Sequence, residues 1–443
     1  MSYGVNLFYY FFLVFKHISD IINKKGTRRI EMSFNINMPG EVITALNLLN
    51  KNGFEAYIVG GCVRDSLLGT VPNDWDITTS ASPEEIIHCF KGYRTINTGL
   101  KHGTVTVIIK GRQLEVTTYR IDGRYTDNRR PDSVLFTKDV SHDLKRRDFT
   151  INSLAYNSNG MIDLFGGAED IKNKVVRCVG EPDERFNEDG LRILRALRFA
   201  SVLNFNIAEN TSLSIHKNKE LLNNISRERI SSEFSKLICG QNYHGIMKEY
   251  RDVIEVFIPE MKTIIEKGWN DILNSMNFAE GTVLRLALLL YRTNNAENIL
   301  KNLKYDGTTI KSVKAVAFYR DEEILPDKIR IKKQLSRIGY ENYTYLLKFE
   351  NAVFTAEKNK YEHELVNIKD AEEILNDILM NKECYSLKML AINGEDLINE
   401  GFSRGIRMGS ILNDILNLVI EEQLENKKDA LIGYAKKIKK IKN

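Results

Sequence analysis

The pattern that most constrains the fold lies between residues 56 and 79. A short β-prone run, Ala56-Tyr57-Ile58-Val59, ends in the pair Gly60-Gly61. Paired glycines permit positive φ and let the backbone approach a ligand closely. Arg64-Asp65-Ser66-Leu67-Leu68 then reads as a short helix closed by Gly69, and a turn at Pro72-Asn73 leads into Asp74-Trp75-Asp76-Ile77. In an extended segment residues i and i+2 share a face, so Asp74 and Asp76 aim two carboxylates at one point while Trp75 and Ile77 turn to a core. Two carboxylates so placed suit a pair of hard divalent cations in phosphoryl chemistry. Alone, an Asp-x-Asp is more often a solvated turn, and a Gly-Gly more often a tight turn with its Arg on the surface. Together, with Arg64 ahead of Asp74 at a spacing of ten, they point to a phosphate cradle facing a metal site.

The chain of 443 residues has material for two to four domains. A net charge of +4 permits a nucleic-acid partner without requiring one. Five cysteines, none in C-x-x-C spacing, suit a reducing cytoplasm and give no zinc site; the seven histidines also lack ligand spacing. The apolar stretch Val5–Phe15 is too short to span a bilayer and lacks the flanks of a signal peptide. Arg28-Arg29-Ile30-Glu31-Met32 fits a ribosome-binding site read through as protein, so translation is expected to start at Met32. Peptides from residues 1–31 in a mass spectrum of the native protein would refute this.

Along the chain, residues 40–52 have helical spacing, and Ser82-Pro83-Glu84-Glu85 reads as a capped helix start. Residues 104–109 and 114–120 alternate as strands around a hairpin turn at Gly111-Arg112. A small mixed sheet with helices on one side is expected over roughly residues 35–155. Glu115 is a third acidic candidate for the site, although alternation leaves it on either face of its strand. Residues 121–142 are polar, Arg-rich and aperiodic, a loop of the kind that carries function. Beyond about residue 168 helical patterns dominate.

Several motifs in fixed order carry a family resemblance. Gly60-Gly61-Cys62-Val63-Arg64-Asp65 with Asp74-x-Asp76 resembles the signature of the class II tRNA nucleotidyltransferase and bacterial poly(A) polymerase family. Arg146-Arg147-Asp148-Phe149-Thr150-Ile151-Asn152 is similar to its R-R-D-F-T-x-N motif, which implies that Arg147 and Asp148 contact the ribose of a nucleotide. Asp163-Leu164-Phe165-Gly166-Gly167 matches a D-x-F-G-G turn. Glu188-Asp189-Gly190-Leu191-Arg192, followed by Arg195 and Arg198-Phe199, resembles E-D-x-L-R-x-x-R-x-x-R-F. The resemblance implies that Asp189 and Arg192 read the Watson–Crick edge of C or A, with Arg195 and Arg198 towards the phosphates. Gly190 stands where the family usually has a larger residue. On a continuous helix Asp189, Arg192, Arg195 and Arg198 would form one slowly drifting stripe. Ile225–Glu233 resembles I-S-x-E-R-I-x-x-E, with Ser226 as a cap and Arg229–Glu233 as an i,i+4 pair.

The implied fold is α+β: a small N-terminal nucleotidyltransferase head (polymerase β-like) with a mixed sheet and helices, then all-α neck, body and tail domains. Expected bounds are an extension at 1–33, head 34–155, neck 156–225, body 226–330 and tail 331–443. The implied activity is template-independent addition of C, C and A to the 3′ end of tRNA, from CTP and ATP with Mg2+ and release of pyrophosphate, in the cytoplasm. Gly61 and Arg64 would bind phosphate; Asp74 and Asp76 would hold the metals, with Glu115 beside them as a catalytic carboxylate. Asp127-x-x-Arg130 resembles the flexible-loop element of enzymes that add the whole C-C-A end, and residues 392–428 resemble a tail that docks the tRNA elbow. A poly(A) polymerase of the same family is the nearest alternative. A nucleotidyltransferase for small molecules would leave the helical tail unexplained, and a non-catalytic RNA-binding relative would have no use for Asp74 and Asp76. No membrane partner is expected, and monomer and homodimer stay open.

Overall fold

The computed structural model describes residues 20–22, 28–30, 35–123, 133–266 and 268–441. The chain divides into two units, residues 1–259 and 260–443. The first is built on a nine-stranded sheet. In chain order the strands are β1 (Asp20–Ile22), β2 (Arg28–Ile30), β3 (Ala56–Val59), β4 (Asp76–Thr79), β5 (Arg94–Ile96), β6 (Thr104–Ile109) and β7 (Arg112–Thr118). The next two, β8 (Arg120–Asp122) and β9 (Val134–Phe136), pair with each other as a separate hairpin. The sheet closes with β10 (Leu154–Asn157) and β11 (Gly160–Asp163), and its spatial order is β1-β2-β11-β10-β3-β4-β7-β6-β5. Only β4 and β7 run parallel within it; the other pairings are antiparallel. This is the mixed sheet expected from the sequence, continued through β10 and β11 to Asp163.

Local chemistry explains the joints. Between β6 and β7, Lys110 and Gly111 have φ of 48° and 85°. Two positive φ values in succession make the turn whose twist matches a hairpin, so the turn sits one residue earlier than the Gly111-Arg112 expected. Helix α1 (Gly40–Lys51) buries Val42, Leu46 and Leu49, and α2 (Gly61–Leu67) follows β3 directly. Helix α3 (Pro83–Cys89) is capped as its sequence predicts, with Ser82 and Glu85 exchanging hydrogen bonds in a capping box. Helix α4 (Val140–Lys145) opens on Asp139, whose carboxylate accepts from Ser141 N–H. The Asp163 turn is structural: its carboxylate accepts from the N–H groups of Phe165, Gly167 and Ala168, launching α5 (Gly167–Lys172). Gly167 is obligatory there, because a Cβ would lie 2.2 Å from the Thr150 carbonyl oxygen. Four further helices matter for the site: α6 (Pro182–Glu188), α7 (Leu191–Leu203), α8 (Glu209–Asn218) and α9 (Arg227–Ile238).

Among the described residues of the second unit, every regular element is helical. One core gathers Ile331, Leu335, Leu346, Leu347, Leu375 and Ile378; another gathers Ile392, Leu397, Ile415, Ile420 and Leu431. Lys332 is buried, its charge met by Glu383 and by Glu422 at 3.5 Å. No helix among the described residues is long and apolar enough to cross a membrane.

Glu350 is a weak point of this unit. It lies in the helix Tyr340–Ala356, is 6% exposed, and its Oε1 is buried with no hydrogen-bond partner among the described residues. Burial, and then the charge of Asp321, push its carboxyl from 4.5 up to about 8, against the pull of Arg320. The unfolded chain therefore gives up this proton at a lower pH than the folded chain, and native stability falls as pH rises from 4.5 to about 8. Glu350→Gln is expected to stabilise the protein by about 2 kcal/mol at pH 8 and by much less at pH 5. Thermal melts of both proteins at the two pH values check this; equal melting temperatures at pH 8 would show that Glu350 has a partner in solution.

Candidate active site

Asp76 opens β4 directly opposite Glu115 on the parallel strand β7. Residues in register on paired strands present their side chains to the same face, so the two carboxylates stand side by side and Glu115 joins the site. The alternation predicted for residues 74–77 holds: Asp74 and Asp76 are exposed while Trp75 and Ile77 are buried. Asp74, however, precedes the strand rather than lying in it. Asp76 and Glu115 line a cleft of about 210 Å³, together with Arg146, Arg147 and Arg120. Burial and the charges of Glu115 and Asp74 raise the pKa of Asp76, against the pull of Arg147. Among the described residues no group of three or more His, Cys, Asp or Glu is drawn together tightly enough to hold an ion as it stands. By chemistry and placement, hard oxygen donors in register on paired strands, Asp76 and Glu115 suit a hard divalent cation, while Asp74 does not line the cleft as the side chains stand.

The Gly-Gly turn borders the same cleft. Gly60 has φ 79° and ψ −127°, and a Cβ there would lie 3.1 Å from Arg147 Nη1, so both the conformation and the close approach require glycine. Gly61 is the first residue of α2. Arg64 is neither on the surface nor pointing freely at a ligand. It donates to Asp65 at 2.9 Å and to Asn152 at 2.6 Å, and it stacks 5.0 Å from the centre of the Phe199 ring. That ring also carries Arg198 at 3.7 Å and Arg195 at 5.4 Å, so one aromatic ring gathers three guanidiniums.

Asp148 is buried and saturated. It accepts from Phe149 N–H and Asn152 Nδ2 on one oxygen, and from Arg195 Nε at 2.9 Å and Nη2 at 2.6 Å on the other. Burial alone would raise its pKa, but Arg195 and Arg192 hold it far below the carboxylate range. As the side chains stand, Asp148 ties the β-sheet region to α7.

The Asp189–Arg198 segment departs from the continuous stripe. Asp189 ends α6 in an extended conformation (φ −142°, ψ 104°), and α7 starts at Leu191 after Gly190. Gly190 packs so closely that a Cβ would meet the Leu221 carbonyl at 3.0 Å, which accounts for the glycine at this place. Asp189 accepts from Leu191 N–H at 3.1 Å and from Arg229 Nη2 at 2.8 Å. Arg192 is held by Glu188 at 2.5 Å and donates to the Arg146 carbonyl at 3.1 Å. Arg195 and Arg198 both reach Glu233, at 3.7 and 2.6 Å. The expected Arg229–Glu233 pair is therefore replaced: Glu233 finds its partners on α7 and Arg229 finds Asp189 at the end of α6. Ser226 occupies the N-cap position of α9, without a side-chain cap bond. Asp127 and Arg130 lie outside the described residues.

Three stretches match known families: residues 56–177 the poly A polymerase head domain, residues 204–265 the probable RNA and SrmB-binding site of polymerase A, and residues 280–435 the putative tRNA nucleotidyltransferase domain 2. The CCA-adding enzyme of Ligilactobacillus salivarius is 38% identical over 416 residues, covering 91% of this chain and 98% of its own. The chain belongs to the CCA-adding enzyme family. The Enterococcus faecalis CCA-adding enzyme is 35% identical over 90% of this chain and 95% of its own length. The crystal structure of the Bacillus stearothermophilus CCA-adding enzyme in complex with CTP superposes with a TM-score of 0.77 at 30% identity, over 91% of this chain and 99% of that one.

For a CCA-adding enzyme the cleft contains residues that motif reading passed over. Arg120 and Arg146 line it. Asp143 lies behind it, fully buried, accepting from Arg146 and Arg147. Burial pushes the Asp143 carboxyl up, but Arg147 and then Arg146 pull it below its ordinary value. The signal was present in the sequence: Asp143 precedes Arg146 and Arg147 by three and four residues, the spacings at which side chains on a helix meet. As a set, these groups offer carboxylates for cations on one wall and guanidinium forks for phosphate on the other.

Proposed function

We propose that this chain completes the 3′ end of tRNA by adding C, C and A from CTP and ATP, releasing pyrophosphate at each step. The observation that carries the reading is the juxtaposition of Asp76 and Glu115 across the parallel β4–β7 pair, in a cleft walled by Arg146 and Arg147. Asp74, Asp76 and Glu115 would hold the divalent cations, Mg2+ in this reading, which supply Lewis-acid stabilisation of the triphosphate and of the attacking 3′-oxygen. Arg147 and Arg146 bind the polyanionic tail of the nucleotide, and the backbone of Gly60 and Gly61 approaches it without a side chain in the way. Asp148 and Arg195 lock the neck against the head, so that the groups on α7 keep a fixed distance from the carboxylates. Arg64 and Arg198, gathered on Phe199, keep positive charge beside that junction.

Base choice falls to Asp189 and Arg192. Asp189 accepts from the exocyclic amino group that C and A share, and Arg192 donates to the neighbouring ring atom. The helical second unit takes the body of the tRNA by shape and backbone contact, in the cytoplasm, and Asp127 and Arg130 act in the switch from C to A.

Incubation with tRNA lacking its terminal CCA, Mg2+, and labelled CTP and ATP is expected to yield products longer by C, C and A in that order. Long tails from ATP alone would make the chain a poly(A) polymerase, and incorporation of neither nucleotide would overturn the catalytic reading.

A further inference from the structure

We propose that Asp143 is a positioning residue of the nucleotide site, a buried anchor that aims Arg146 and Arg147 at the cleft and keeps Arg147 off Asp76. The proposal rests on the cleft being where the nucleotide binds.

Asp143 has no exposed surface. Its Oδ1 accepts from Arg146 Nε at 3.0 Å and Nη2 at 2.8 Å, and its Oδ2 accepts from Arg147 Nη2 at 3.1 Å. A fourth group, Thr78 Oγ1 on β4, two residues after Asp76, lies 3.3 Å from Asp143 Oδ2 and shares its one proton between that oxygen and the Thr117 carbonyl, also at 3.3 Å. One carboxylate thus links the strand that carries Asp76 to two guanidiniums in the cleft wall. Both forks are gripped from behind. Arg147 Nη1 lies beside Gly60, where any Cβ would come within 3.1 Å of it, so the glycine leaves room for the guanidinium.

The charge balance explains why such an anchor is needed. Arg147 lines the same cleft as Asp76 and Glu115, yet its ion pair runs to Asp143. A long cation beside two carboxylates that repel each other would otherwise turn to them, neutralise an oxygen the cations need, and take a fork away from the phosphates. A buried carboxylate in low dielectric holds its partners more tightly than a wetted one. Two guanidiniums on one carboxylate still leave a net positive charge facing the cleft, which suits a polyanion. Arg146 is steadied a second time by Asp122 at 3.7 Å, which pairs with Arg120 at 3.3 Å.

The test is equilibrium binding of CTP and ATP to the full chain by calorimetry, in Mg2+ and without tRNA, combined with steady-state kinetics. For Asp143→Asn the Kd of both nucleotides is expected to rise alike, by about tenfold or more, with the loss falling on KM rather than on kcat and with discrimination against UTP unchanged. A folded Asp143→Asn protein with wild-type Kd values would overturn the proposal, as would a loss confined to kcat. Where Asp143→Asn does not fold, Thr78→Val removes one donor at nearly constant shape; a Kd raised by about two- to fivefold supports the anchor, and an unchanged Kd refutes it. Arg147→Met separates the two levels of the argument. If it leaves CTP affinity untouched, the assignment of the cleft itself fails. If Arg147→Met weakens binding and neither Asp143→Asn nor Thr78→Val does, only the positioning role fails.

Discussion

Replacing Asp76 by asparagine is expected to abolish nucleotide incorporation, lowering the single-turnover rate by about 10⁴-fold or more, a loss equivalent to roughly 5 kcal/mol of transition-state stabilisation. The amide keeps the shape of the carboxylate, so β4 and its pairing with β7 stay intact, but it removes the hard anionic oxygen. Asp76 has Glu115 opposite it and Asp74 two residues away, and their charges, with burial, raise its pKa. In the free protein that crowding of like charge is a burden, so the variant should fold at least as well as the parent. Activity and stability are thus expected to move in opposite directions, which separates a working carboxylate from a structural one. Rapid-quench measurement of CMP addition and a thermal melt of the same preparation decide the matter. An Asp76→Asn protein with more than about 1% of the parent rate would remove Asp76 from the chemistry. A sharply lowered melting temperature would show that the residue serves the fold.

What the sequence made legible was local. The Gly60-Gly61 turn, the alternation from Asp74 to Ile77 and the Ser82–Glu85 box each depend on a few consecutive residues whose conformational preferences agree. The charged groups between residues 188 and 233 were legible as a motif but not as a geometry. Read as a helix, Asp189 and Arg192 share a face, and Arg229 meets Glu233 one turn on. In the fold a helix break at Asp189-Gly190 takes Asp189 off α7 and sets it against Arg229, while packing of α7 on α9 gives Glu233 to Arg198. Tertiary ion pairs among half-buried groups outweigh an i,i+4 pair worth a few tenths of a kcal/mol. Asp148 shows the same limit. Its place in the motif implies a ribose contact, and no local pattern reports the four hydrogen bonds that also make it a joint between the β-sheet region and α7. Asp143 had the spacing to be found, but its burial, which gives it leverage over Arg146 and Arg147, follows from β4 lying beside it, and no local pattern reports that.

Asp189→Ala is expected to cost the enzyme its preference for C and A. The Asp189 carboxylate accepts from Leu191 N–H and Arg229 Nη1 on one oxygen and from Arg229 Nη2 on the other. An ionised carboxylate has about four acceptor positions, so the three held ones fix its direction and one on the second oxygen is left for an amino group. Arg192 donates to Glu188 and to the Arg185 and Arg146 carbonyls, which fixes its direction and leaves two of its five donors for a base. A pocket built to hydrogen-bond one edge pattern discriminates by leaving its own groups unpaired against the wrong base. Without the carboxylate that penalty vanishes, and the ratio of kcat/KM for CTP over UTP should fall by about 10- to 100-fold. Most of the change should come from lost CTP efficiency and gained UTP use, with catalysis of the chemical step preserved. Arg229 is left without this partner, but its side chain is 26% exposed and can turn to water, so the stability loss should stay near 1 kcal/mol. Asp189→Asn retains an acceptor and should recover part of the preference, whereas a general distortion of the neck would not be rescued. Competition between CTP and UTP on tRNA ending before its first C measures the ratio directly. A ratio unchanged in Asp189→Ala, at normal rates, would take base choice away from Asp189 and leave Arg192 to account for it.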